Sequence, residues 1–109
     1  MNEIDSTLSE RGARYGNYSD VAGTTQQLMA IIECGANYEH LNAEQKTSLF
    51  MICNKIARAV NGDPQYFDNW RDIAGYATLA ERACEQGRPE VIESYKPNYA
   101  GALSDYIQK

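Results

Sequence analysis

The chain has 109 residues and a net charge of −5, with 43% hydrophobic and 23% charged residues. That size and balance describe one soluble globular domain with a modest core, and the acidic charge excludes broad binding to the phosphate backbone of DNA or RNA. No apolar run approaches the roughly 18 residues of a membrane span, and the opening MNEIDSTLSERGARYG lacks the apolar stretch of a signal peptide.

Residues 5 to 18 are polar and contain Gly12 and Gly16, which predicts a short helical turn followed by a loop. Asn17 or Ser19 then caps a helix running to Cys34, with Val21, Leu28, Ile31 and Ile32 on its apolar face and Gly35 ending it. The next helix opens on Asn42-Ala-Glu-Gln45, which has capping-box spacing. Leu49, Ile52, Cys53, Ile56 and Val60 follow at helical intervals, and Asn61-Gly62 closes the segment. Asp63 and Pro64 suit the N-cap and first position of a further helix. Its predicted core stripe is Phe67, Trp70, Ala74, Ala77 and Ala80, and it reaches about Gln86 before Gly87 and Pro89. Glu90 to Tyr95 suits a short last helix, Pro97 breaks it, and residues 98–109 form a tail in which Tyr99, Leu103, Tyr106 and Ile107 suit packing.

No six-residue stretch alternates apolar and polar side chains. The expected fold is therefore all-α: one domain over 1–109, a compact bundle of three main helices with short helical segments at either end. Its core covers about residues 8–95 and its tail 96–109. The predicted core is Leu28, Ile31, Leu49, Ile52, Ile56, Phe67, Trp70 and Ala77. Cys34, Cys53 and Cys84 are odd in number, have no CxxC spacing and have His40 as the only histidine beside them. They read as small buried thiols, not zinc ligands.

The chemistry concentrates on the hairpin of the last two main helices. A connection of about three residues makes them antiparallel. Counting away from the turn sets Arg58 level with Asp68 and Asn69, and Lys55 level with Asp72, while Asp68, Asp72 and Tyr76 share one stripe. Charges inside helical core segments must pair or hold something. On the structural reading, Lys55–Asp72 and Arg58–Asp68 are interhelical salt bridges, Trp70 is core and Gly75 is a packing notch. On the functional reading, the cations hold phosphate, Asn69 and Asp72 meet sugar or base, and Tyr76 stacks. The segment RGARYGNY adds Arg11, Arg14 and Tyr15 as a loop able to lie over such a pocket.

The blocks ERGARYGNY, KIARAVNGD and DNWRDIAGYATLAE, in that order, resemble a family of small uncharacterised proteins carried by tailed phages and prophages. That resemblance implies cytoplasmic residence in an infected or lysogenic bacterial host, and no set activity. More distantly, the last block is similar to the all-α nucleotide pyrophosphohydrolases of the MazG type, which hold Mg²⁺ on paired acidic motifs beside a nucleoside triphosphate. Asn69-Trp-Arg-Asp72 keeps only the aspartate of the second motif, and Phe50 to Lys55 contains no acid for the first. Retained cations with lost metal carboxylates point to binding over hydrolysis.

The expected function is binding of a phosphorylated nucleotide-type molecule, such as a sequestered host defence messenger. The expected ligand residues are Arg11, Tyr15, Lys55, Arg58, Asn69, Asp72 and Tyr76, with no cofactor and no nucleic-acid or membrane partner. One alternative is a Mg²⁺-dependent hydrolase using Asp68 and Asp72. Another is a protein-interaction module that inhibits a host factor. The MazG resemblance also implies a homo-oligomer, at least a dimer.

Overall fold

The computed structural model describes residues 3–84. Within them the chain is all-α, with helices α1 (Glu3–Tyr15), α2 (Tyr18–Glu33), α3 (Ala43–Asn61) and α4 (Phe67–Arg82), and a 3₁₀ turn at Tyr38–His40. The fold therefore has four substantial helices, which corrects the expected three with short terminal segments. The helix at Glu90 to Tyr95, the tail and the extension to Gln86 lie outside the described residues.

The unexpected helix is α1, 13 residues long. Glu3 and Asp5 in its first turn and Arg14 in its last complement the helix dipole. Glu10 and Arg14 pair one turn apart at 3.4 Å. Gly12 sits inside the helix, and Gly16 ends it, with φ +88° and its N–H on the Gly12 carbonyl at 2.9 Å. No residue of α1 is buried, so local charge pairing and the terminating glycine carry more of its definition than packing does.

Two of the three predicted caps are present. Asn17 Oδ1 accepts from the Ser19 N–H at 2.8 Å. At α3 both halves of the capping box form: Gln45 N–H to Asn42 Oδ1 at 2.8 Å and Asn42 N–H to Gln45 Oε1 at 3.0 Å. Asn42 also donates from Nδ2 to the Ala83 carbonyl at 3.0 Å, tying the end of α4 to the start of α3.

Helix α3 is the centre of the packing, with α4 and α2 against it and α1 reaching it more narrowly. Small side chains permit the close approach: Ala57, Ala59, Ser48 and Cys53 of α3 are buried, and so are Val21, Thr25 and Met29 of α2. The predicted core is only partly right. Leu28, Leu49, Ile52 and Ile56 are half-buried, whereas Ala77 is exposed and Ile31, Phe67 and Trp70 are 73%, 56% and 53% exposed.

Two local causes explain the α4 error. Asp63 is not its N-cap: the Asp63 carboxylate accepts from Gln65 N–H at 2.9 Å and its carbonyl from Tyr66 N–H at 3.1 Å, so Asp63–Tyr66 is a turn and α4 begins at Phe67. The helix is also rotated, burying Asn69 and half-burying Asp72, Ile73, Tyr76 and Ala80. Trp70 instead lies over the turn and donates from its indole to the Pro64 carbonyl at 2.9 Å. Gly75 is no packing notch, because no described atom lies within 4 Å of where its Cβ would stand. Of the cysteines, Cys34 and Cys84 are exposed and only Cys53 is buried, which corrects the expectation of three buried thiols.

Candidate functional site: an arginine–tyrosine cleft

Where the α1–α2 junction meets the α3–α4 junction, two backbones touch. A Cβ on Gly62 would stand 2.5 Å from the Arg14 carbonyl oxygen and Tyr15 carbonyl carbon, and one on Gly16 would stand 2.6 Å from the Asn61 carbonyl. Only hydrogen fits at either position. The contact is fastened by Asp63 N–H donating to Arg14 O at 2.9 Å. It sets Tyr15, the last residue of α1, against the C-terminal end of α3.

Tyr15 gathers cations there. The Arg11 and Arg58 guanidinium carbons lie over its ring at 5.0 and 4.7 Å from the centroid. Tyr66 packs edge-on at 5.6 Å, and Arg14 lies over the Tyr66 ring at 5.3 Å and donates to its hydroxyl at 3.3 Å. The Asp68 carboxylate, partial burial and then Tyr15 hold the Tyr66 phenol above its ordinary value.

Beside this cluster opens a cleft of about 340 Å³ lined by Leu8, Arg11, Tyr15, Tyr18, Asn54 and Arg58 among others, with Val21 and the α2 cap residue Asn17 also in its wall. Among the described residues the ion pairs are Arg14–Glu10, Lys46–Glu39 and Lys55–Asp72. Neither Arg11 nor Arg58 takes part in one. Two guanidinium groups with no carboxylate partner among the described residues thus border a small, mixed polar and apolar cavity in an acidic chain.

Three of the seven expected ligand residues, Arg11, Tyr15 and Arg58, come together here. The other four lie on the α3–α4 side. Lys55 pairs with Asp72 at 3.1 Å, its side chain only 12% exposed. Tyr76 borders shallow depressions with Asp72, Gly75 and Leu79. Asn69 is 1% exposed, and neither its Nδ2 nor its Oδ1 has a partner among the described residues. The expected single patch divides because Lys55 and Arg58 point about 60° apart around α3, at 100° per residue. Counting along the hairpin found the Lys55–Asp72 level correctly. It paired Arg58 with Asp68, whereas Arg58 turns to Tyr15.

Sequence reasoning assigned no ligand role to Tyr18, Asn17 and Asn54. For Asn54 a signal existed: it precedes Arg58 by four residues and so shares its face of α3. The hydrolase alternative needs a carboxylate cluster. Among the described residues no group of three or more His, Cys, Asp or Glu side chains assembles, and Asp72 already faces Lys55. Asp68 and Asp72 do not by themselves make a fitting magnesium site.

Fold and site together define a small all-α domain with a cationic, tyrosine-lined cleft at the crossing of two helix junctions. Residues 2–84 match the family described as a domain of unknown function, DUF6378, and the chain belongs to that family. No curated protein and no solved structure matches it. No described helix is long and apolar enough to cross a membrane.

Proposed function

We propose that this protein binds a phosphorylated small molecule of the nucleotide type in the arginine–tyrosine cleft. The observation that carries the reading is the pair Arg11 and Arg58, both over Tyr15, both bordering the cavity, and neither joined to a carboxylate among the described residues. A guanidinium fork matches phosphate oxygens in geometry and charge. Resting on a ring restricts such a side chain before the ligand arrives, which lowers the entropy lost on binding. The volume is of the order of small-ligand sites, about 300–1,000 Å³. Asn17 at the start of α2 adds the partial positive charge of a helix N-terminus.

Tyr15 serves as the platform that positions the two arginines, and Tyr18, 86% exposed at the rim, supplies the ring open to a base. The resemblance to phage-borne proteins supports a setting in the cytoplasm of an infected or lysogenic host, where the protein sequesters a defence messenger or buffers a nucleotide. The MazG likeness supports assembly as a dimer or larger.

Calorimetric titration with ATP, GTP, CTP and UTP tests the proposal. Wild type is expected to bind at least one of them, and Arg58→Ala and Arg11→Ala to weaken that binding at least tenfold, about 1.4 kcal/mol, with little change in melting temperature. Absence of binding by wild type, or equal binding by the arginine variants, refutes the reading. A second reading, a protein-interaction module, is supported by the exposed apolar side chains Phe67, Trp70 and Leu79 on α4. It predicts that Trp70→Ala, and not Arg58→Ala, removes biological activity.

A further inference from the structure

We propose that Asn54 is the specificity-determining residue of this cleft, its side-chain carbonyl accepting a hydrogen bond from a donor on the uncharged part of the ligand. The inference rests on the nucleotide reading above and names what that reading leaves open, the group that selects one ligand from another.

The argument is one of hydrogen counting. Asn54 lies on α3 one turn before Arg58 and lines the cleft with it. Its Nδ2 faces the Thr25 hydroxyl of α2 at 3.5 Å. A hydroxyl has one hydrogen and two lone pairs. Thr25 is buried, and its hydrogen goes to the Val21 carbonyl one turn earlier, at 2.7 Å. Toward Asn54, Thr25 Oγ1 can therefore only accept.

An amide whose nitrogen faces an acceptor has its oxygen turned the other way. The 3.5 Å contact is too long to contribute much energy; what sets the orientation is that a flipped amide would put its oxygen against an oxygen that can only accept. Among the described residues no group donates to Asn54 Oδ1, and the side chain is half-buried, not sealed. The cleft therefore pairs an anion-binding end, Arg11 and Arg58, with one oriented neutral acceptor beside the apolar Val21.

A neutral acceptor selects a hydrogen-bond donor. On a nucleotide the candidates are a sugar hydroxyl, an exocyclic amino group and the ring N–H of a guanine, hypoxanthine or uracil base, and a site built to receive one such donor discriminates strongly against an analogue lacking it there. Neither arginine can supply this discrimination, because guanidinium groups only donate.

The experiment is a set of paired titrations: ATP against inosine triphosphate, CTP against UTP, and ATP against dATP. Wild type is expected to discriminate between the members of at least one pair by about tenfold. The first two pairs exchange an amino group for a carbonyl beside a ring N–H, so the direction of preference tells which donor is chosen, and the third pair reports a hydroxyl. In Asn54→Leu the ratio is expected to fall to about one through loss of affinity for the preferred member, while affinity for the weaker-binding member stays within about twofold. Thr25→Val touches no ligand but frees the amide to rotate, and is expected to reduce the same ratio partway. Equal binding of both members of every pair by wild type, or an unchanged ratio in Asn54→Leu, overturns the role of Asn54 and leaves the arginine cleft standing. Failure of wild type to bind any of these nucleotides overturns the cleft reading and this inference together.

Discussion

Gly62→Ala places a methyl group where three backbone atoms already stand: the Arg14 oxygen and Tyr15 carbonyl carbon at 2.5 Å and the Gly16 nitrogen at 2.6 Å. No side chain can rotate aside, so the two junctions must separate. Overpacking of this kind costs about 1–3 kcal/mol. Separation also removes the bond from Asp63 N–H to Arg14 O at 2.9 Å, a further loss of roughly 0.5–1.5 kcal/mol. For a domain of this size each kcal/mol moves the melting temperature by about 4–8 °C, so the expected fall is on the order of 10–30 °C. Thermal unfolding followed by circular dichroism at 222 nm measures it. Gly75→Ala is the control: an exposed mid-helix site with no described atom in reach of the new methyl, where alanine is expected to raise stability by about 0.5–1 kcal/mol. A Gly62→Ala protein melting within about 3 °C of wild type would show that the junctions do not bear on one another, and the account of how Tyr15 is positioned would fall with it.

Further outcomes follow from other contacts. Asp72→Asn is expected to destabilise more than Lys55→Met, because the former strands an ammonium on a side chain 12% exposed whereas the latter leaves a carboxylate 46% exposed and hydrated; chemical denaturation of both variants compares them. Asn69→Ala is expected to lie within about 1 kcal/mol of wild type despite full burial, since the cavity it leaves is offset by removal of an amide with no partner among the described residues, whereas Met29→Ala should cost about 2–5 kcal/mol. Thiol titration of the native protein should find Cys34 and Cys84 reactive and Cys53 inert until unfolding, because Cys53 is buried and its thiol pKa is pushed up by that burial. The Tyr66 phenol is raised in the fold, so its contribution is fully present below the ordinary phenol value of about 10 and is lost as pH rises through the folded value. Melting temperature between pH 8 and 11.5 should decline at the alkaline end, and less steeply in Tyr66→Phe.

Much of this was legible along the chain and some was not, for reasons visible in particular residues. Asn17 and the Asn42–Gln45 box mark helix starts through contacts three residues long or fewer, which a sequence carries intact. The level of Lys55 with Asp72 follows from the length of one turn. Helix α1 was hidden by Gly12 and by having no buried face, so neither propensity nor periodicity announced it. The rotation of α4 was hidden because Phe67, Trp70 and Ala77 look like core while Asn69 and Asp72 look like surface, and the packing on α3 reverses both. Arg58 has a stated partner only once α1 is known to deliver Tyr15.

The α3–α4 hairpin is closed at both ends by different means. At one end Gly62 sits against the α1–α2 junction, and at the other the Asn42 amide holds the Ala83 carbonyl while Gln45 reaches the Cys84 sulfur at 3.5 Å. A slide of α4 by one turn along α3 would break both closures and the Lys55–Asp72 pair together. Helix α1 contributes no buried residue, and its closest backbone contact among the described residues is at Arg14 to Gly16, against Gly62 and Asp63. The cleft wall that carries Arg58 and Asn54 thus stands on the doubly closed hairpin, and the wall that carries Arg11 stands on a helix with no buried residue. Such a division gives the cleft one side set by the hairpin and one set by the α1–α2 junction, with Tyr15 between the two arginines.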